Sequence, residues 1–229
     1  MSALPKFMLD RTRYAAPQVL DKLREAILSL ELPPGAVLTR LELANQFGVS
    51  HTPVREALLR LQEEGLVDVF PQHTTLVSRI NITVARDAHF LRRALELELV
   101  EQLACETPPG LIDGMTATIA LQASLAEAQR YGEFVDADRA FHRQMYEAGG
   151  VAALWNLVRK ASGHVDRLRR LHLPTAGKTE SILRDHRAIV RGIEARDPAA
   201  ARSALHEHLS GTLSAVDDIC RQYPDFVMS

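Results

Sequence analysis

The chain is poor in the features that usually settle a protein's class at a glance. It has two cysteines, Cys105 and Cys220, with no close pairing motif, so a disulfide-stapled scaffold is excluded and neither residue points to an oxidising compartment. Both sit in helical patterns, where they are expected to pack as small apolar residues. No apolar run approaches the ~18 residues of a membrane span. Residues Met1 to Lys6 lack the basic-then-apolar layout of a secretory signal, and the expected location is the cytoplasm. There is no excess of either charge: 27 Lys and Arg stand against 29 Asp and Glu, and residues 1–80 carry nine of each. General electrostatic attraction to nucleic acid is therefore excluded as an argument. Any such contact must come from a local cluster, for which Arg11, Arg13, Arg40, Arg55 and Arg60 are the candidates. Glycine-rich phosphate loops and nucleophile elbows are also missing.

What is present begins at Leu41-Glu42-Leu43-Ala44-Asn45-Gln46-Phe47-Gly48-Val49-Ser50-His51-Thr52-Pro53-Val54-Arg55-Glu56-Ala57-Leu58. The pattern predicts two short helices joined by a tight glycine turn. Leu41, Ala44 and Phe47 give one apolar face, and Val54, Leu58 and Leu61 give the other. Gly48 falls where the turn needs positive φ. Ser50 is placed to N-cap the second helix, with Pro53 in its first turn. The exposed start of that helix then carries Ser50, His51, Thr52 and Arg55, all able to bond phosphates or base edges. Upstream, Val19, Leu23, Ile27 and Leu28 mark an amphipathic helix ending before Leu32-Pro33-Pro34-Gly35. Downstream, Val67, Val69 and Leu76-Val77-Ser78 predict a two-stranded wing with Pro71-Gln72-His73-Thr74-Thr75 at its tip.

This segment resembles the winged-helix domain of the GntR regulator family, over many positions in order. The resemblance implies binding to a palindromic double-stranded operator by a homodimer, with Arg40, Ser50, His51, Thr52, Arg55 and His73 as the DNA-contacting set. Two positions depart from the family. His51 stands where arginine is usual, and His73-Thr74 replaces a common Arg-Gly pair at the wing tip. Histidine gains charge near neutrality, so operator affinity is expected to depend on pH.

From about Asn81 the pattern is almost continuous helix, predicted at 83–106, 111–130, 132–148, 151–172, 179–195 and 198–222. The breaks are Pro108-Pro109-Gly110, Tyr131-Gly132, Gly149-Gly150, 174–177 and Asp197-Pro198. The expected fold is thus mostly α: a winged helix-turn-helix over residues 12–80, then an antiparallel bundle of about six helices over 81–225.

Seven of the nine histidines lie in this second part. Asp138 and His142, spaced i,i+4, share a helix face close to Phe134, Phe141 and Met145. His186 lies among Ile182, Ile189, Val190 and Ile193, and His208 near Leu205 and Thr212. Buried unsatisfied, such groups are costly, and a divalent metal removes the cost. A core histidine bonded to a carbonyl is the plainer reading of each residue alone. His164 lies on a similar stripe with Leu157, Ala161, Leu168 and Leu171, so spacing does not choose among Asp138, His142, His164, His186 and His208.

The stretches Leu91-Arg92-Arg93-Ala94-Leu95-Glu96, Asp138-Arg139-Ala140-Phe141-His142, Asp185-His186-Arg187-Ala188-Ile189 and His206-Glu207-His208-Leu209 resemble the FCD effector-binding domain of the FadR-type GntR subgroup. The resemblance implies a divalent transition metal held by Asp138, His142, His186 and His208, with zinc first and nickel, iron or manganese as alternatives. It also implies a small organic acid as effector, gripped by Arg92 with His164 lining the same cavity. Arg92 otherwise reads as a surface arginine paired with Glu96. The expected activity is that of a metabolite-responsive repressor. Two other readings stand beside it: a metal-free regulator holding its effector by arginine and histidine, and a metal-dependent hydrolase, which would leave the winged helix without a purpose.

Overall fold

The computed structural model describes residues 8–10, 12–70 and 74–228, which divide into two compact units. Described residues up to Ile82, joined by those from Gln222 onward, form one; Thr83–Arg221 form the other. Residues 222–225, read in the sequence with the bundle, thus group with the winged unit. There the backbone N–H of Ile80 donates to the Phe226 carbonyl at 2.8 Å and that of Met228 to the Ile80 carbonyl at 2.9 Å.

In the first unit, α1 (Ala15–Leu28) buries Val19, Leu23 and Ile27 at helical spacing. After β1 (Val37–Leu38), α2 (Arg40–Phe47) is capped by Thr39, whose hydroxyl accepts from the Glu42 N–H. Gly48 ends it in the left-handed conformation at φ 64°, as the turn required. The apolar face of α2 is Leu43, Ala44 and Phe47; Leu41, expected inside, is 60% exposed. Leu43 and Phe47 are four apart and fill the same stripe, which turns Leu41 outward. Helix α3 (His51–Glu63) buries Val54, Ala57, Leu58 and Leu61. Ser50 occupies its N-cap position, but the side chain makes no capping bond. The hydroxyl stays exposed, leaving the N–H groups of the first turn open to another partner.

The wing is a sheet of three strands rather than two. β2 (Val67–Val69) and β1 both pair antiparallel with β3 (Thr75–Val77), in the order β1-β3-β2, with Val37 opposite Leu76 and Val67 opposite Val77. Two residues are too few to show a period-2 alternation, which is why β1 escaped the sequence reading. His73 and the rest of the predicted wing tip at 71–73 lie outside the described residues.

The second unit is helical throughout: α4 (Ile82–Cys105), α5 (Leu111–Glu127), α6 (Tyr131–Ala148), α7 (Ala152–Ala161), α8 (Gly163–His172), α9 (Lys178–Glu194), α10 (Pro198–Leu213) and α11 (Val216–Gln222). Two predicted segments are therefore broken. Residues 151–172 divide at Ser162, beside Gly163, where the Ser162 hydroxyl donates to the Val158 carbonyl at 2.7 Å. Residues 198–222 divide at 214–215. The core joins Val100, Leu103, Met115, Ile119, Phe134, Phe141, Met145, Ile189, Ile193 and Leu205. Helices α9 and α10 approach closely at Gly192, where an added Cβ would lie 2.6 Å from the Ala201 backbone. The cysteines correct an expectation: Cys105 is exposed and Cys220 half-buried. In α4 the inward stripe passes through Val100, Leu103 and Ala104 and leaves Cys105 on the solvent side. Among the described residues no helix is long and apolar enough to cross a membrane.

Candidate functional site

Three helices of the second unit bring four polar side chains to one point in its core. Helix α6 contributes Asp138 and His142 on the same face, α9 contributes His186, and α10 contributes His208. One donor atom from each lies within 4.8 Å of all the others. Nε2 of His142 is 3.1 Å from Nε2 of His208, and Asp138 Oδ1 is 3.4 Å from His186 Nε2 and 4.0 Å from His142 Nε2. Donors around one ion with bonds of ~2.1 Å stand about 3–4 Å apart, so the spacing suits a single cation.

The opposite edges of two imidazoles are met by other groups, and the third faces a carboxylate beyond hydrogen-bond reach. His142 Nδ1 is 2.8 Å from Glu96 Oε2, His186 Nδ1 is 2.8 Å from Gln122 Oε1, and His208 Nδ1 is 4.0 Å from Asp185 Oδ2. Such partners orient a ligating ring and set its tautomer. Phe141 stacks on His186 with ring centroids 3.8 Å apart. Glu96 also accepts from Arg92 Nε at 2.7 Å and lies 3.4 Å from the Tyr146 hydroxyl, so α4 and α6 share a buried charge network behind the histidines.

The electrostatics prepare these groups to bind a cation. Burial, before any other cause, pushes His186 down to about 3 and lowers His142 and His208 as well, so all three rings are neutral at ordinary pH. Burial pushes the Asp138 carboxyl up, but the positive charge of Arg169 first, with Arg92 behind it, holds the group below the usual carboxylate range. Glu96 is likewise raised by burial and brought back to about 2, chiefly by Arg92 and His142. Neutral imidazoles and an ionised carboxylate are the ligating forms of these side chains. His186 Nε2 is buried without a hydrogen-bond partner, and two Nε2 atoms face each other across 3.1 Å. The residues fit a divalent metal on these grounds.

A pocket opens beside this group, lined by Phe134 and Asp138 of α6, Arg169 and His172 of α8, Lys178 of α9 and His208 of α10, among others. Its guanidinium at the centre is Arg169, whose Nη1 is 3.6 Å from Asp138 Oδ2. Arg92, expected to grip an effector, does not line this pocket; it is buried and engaged with Glu96. The expected pair with Glu96 exists, but it lies in the core rather than on the surface. His164 is buried too, yet it faces Arg167 Nη2 at 3.0 Å and is absent from the pocket wall. Sequence reasoning did not single out Gln122, Asp185, Arg169 or Lys178. For Gln122 there was a signal, a polar residue on the apolar stripe of Met115, Ile119 and Leu125.

In the winged unit, Arg40, Ser50, His51, Thr52 and Arg55 are all exposed. Ser50 to Arg55 stand together on the uncapped start of α3.

Comparison with known proteins agrees with this division. Residues 15–77 match the family described as bacterial regulatory proteins, gntR family, and residues 87–211 match the FCD domain. The chain is 37% identical to an HTH-type transcriptional regulator in an unstable DNA locus of Streptomyces ambofaciens, over 89% of this chain and 86% of the relative. It is 26% identical to the HTH-type transcriptional repressor RspR of Escherichia coli K12, over 95% and 96%. Among solved structures, E. coli McbR/YncC superposes with a TM-score of 0.76 at 21% identity, covering 92% of this chain and 99% of that one, which shows a shared fold. These relatives are transcriptional regulators, not enzymes.

Proposed function

The chain belongs to the GntR family of bacterial regulatory proteins, with an FCD domain after its winged helix, and on that premise we propose that it is a cytoplasmic, homodimeric repressor released from its operator by a small organic acid. The convergence of His142, His186, His208 and Asp138 on one point beside a basic pocket carries this reading. Those four residues would hold the divalent metal, and three imidazoles with one carboxylate suit zinc, nickel, iron or manganese. When bound, such an ion offers open coordination positions to a carboxylate.

The chain's own residues do the rest. Glu96 and Gln122 orient His142 and His186, and Phe141 shields His186 from water. Arg169 supplies the guanidinium for the effector carboxylate, the task first expected of Arg92. Because α6, α8, α9 and α10 each contribute to the pocket, a ligand there favours one packing of the bundle over another, and operator affinity follows that population shift. Ser50, His51, Thr52 and Arg55, with Arg40, read the operator from each copy.

Metal content per chain, measured by plasma mass spectrometry on protein purified without chelators, tests the centre. About one equivalent is expected, lost in His186→Ala. Operator affinity of the loaded protein should then fall about tenfold or more with an effective acid. A protein that holds no metal and takes up none from added zinc, nickel or manganese would return the histidines to the core.

A further inference from the structure

The pocket beside the centre holds one cation whose partner does not account for it. Its two carboxylates are engaged: Asp138 belongs to the His/Asp group and meets Arg169, while Asp166 Oδ2 lies 3.4 Å from Arg139 and 3.6 Å from Arg159. Lys178, at the start of α9, makes no ion pair among the described residues. Its ammonium donates to the Gly211 carbonyl of α10 at 3.2 Å. That approach is tight, since an added Cβ at 211 would stand 3.2 Å from Nζ and the ammonium would have to give by a few tenths of an ångström. His208 lies one helical turn earlier on α10 and lines the same pocket, so Lys178 is held toward the centre by the helix that carries one of its ligands. The lysine is partly buried, and burial first, then the nearby Arg169, push its ammonium below lysine's usual range against the weaker pull of Asp185 and Asp138. A charge partly removed from water is costly when no carboxylate pairs with it directly, and an anion in the pocket lowers that cost.

We propose that Lys178 is the outer anion-binding group of this pocket and selects small dicarboxylates over monocarboxylates, one carboxylate meeting Arg169 at the centre and the second meeting Lys178. The proposal rests on the reading of the centre given above. Gly211 acts as a positioning residue, since its bare backbone lets the ammonium lie against α10. A lysine serving only to brace α9 against α10 would leave ligand charge without effect.

The test is calorimetric titration of the full-length, metal-loaded protein with malonate, succinate and glutarate, each against the monocarboxylate of equal length. At least one dicarboxylate is expected to bind about tenfold more tightly than its counterpart. Lys178→Met, and separately Lys178→Gln, should erase that preference while keeping metal content and monocarboxylate affinity within about twofold. Gly211→Ala should weaken the preference without abolishing it. Equal affinity of the wild type for both classes would overturn the proposal, as would a lysine variant that weakens both classes alike. Metal uptake with unselective acid binding overturns this proposal alone, whereas a chain that takes up no metal overturns the reading of the centre and this one with it.

Discussion

The two units of this chain solve opposite problems with similar helices. Among its described residues, the winged unit buries only Thr75 and Ser78 as polar side chains, and the groups expected to touch DNA stand in solvent. The helical unit buries Arg92, Glu96, Asp138, His142, Arg167, His186 and His208. In the first, the apolar core is free of function, so fold and recognition can vary separately. In the second, the groups that form the site also fill the core, and stability and response rest on the same side chains.

The sharpest way to break this comparison is Glu96→Leu. The variant removes the partner of Arg92 and of His142 Nδ1 at once, in a core that offers Arg92 no water. A loss of about 3–5 kcal/mol in urea unfolding is expected, the cost of leaving a buried charge unpaired. A loss below ~1 kcal/mol would mean that the helical core depends on its polar network no more than the winged core does.

The difference also decides what was legible in the sequence. Gly48, the α3 stripe and the Asp138–His142 pair were readable because each is encoded within a turn or two of chain. The resemblance of short motifs then joined His186 and His208 to them. Local pattern failed where a role depends on a distant partner: Gln122 meets His186 across 64 positions and Tyr146 meets Glu96 across 50. Arg92 shows the same limit, since its spacing from Glu96 was visible but its burial was set by helices elsewhere in the chain. Leu41 and Cys105 failed for a simpler reason: apolar residues next to a stripe are not always in it.

Acid should separate the units next. His89 and His164 are both lowered from an ordinary 6.5 to about 4, by burial first and then by Arg169 and Arg167 respectively. The unfolded chain binds these protons more readily than the folded one between those values. Stability is therefore complete above about pH 6.5 and falls as pH drops toward 4, by about 1.4 kcal/mol per pH unit for each ring. Unfolding curves between pH 6.5 and 5 should show a slope to which these two rings add, and His89→Gln with His164→Gln should reduce it, leaving the part due to His142, His186 and His208. An unchanged slope would place the acid sensitivity elsewhere.

Arg55→Ala tests the other half of the comparison. Its side chain is exposed on α3, so thermal unfolding should move little, within the ~0.5 kcal/mol of an ordinary surface change. Operator affinity is nevertheless expected to fall by about tenfold to a hundredfold, read by electrophoretic shift at fixed salt. If affinity and stability fell together, recognition in the winged unit would be as bound to its core as the metal group is in the bundle.

The smallest expected effect contrasts one residue type in two surroundings. His142, His186 and His208 are kept neutral by the core, whereas His51 stands in solvent at the start of the helix expected to meet DNA. A permanent cation beside phosphate releases a counterion, so a charge placed at this exposed position should be felt by DNA. His51→Arg is therefore expected to raise operator affinity about two- to fivefold at low salt, whereas an arginine in place of a buried histidine would break the core. The His51→Arg variant should also make affinity fall more steeply with salt while thermal unfolding stays within ~0.5 kcal/mol of the wild type. Unchanged affinity and unchanged salt dependence in His51→Arg would show that position 51 does not face the phosphates.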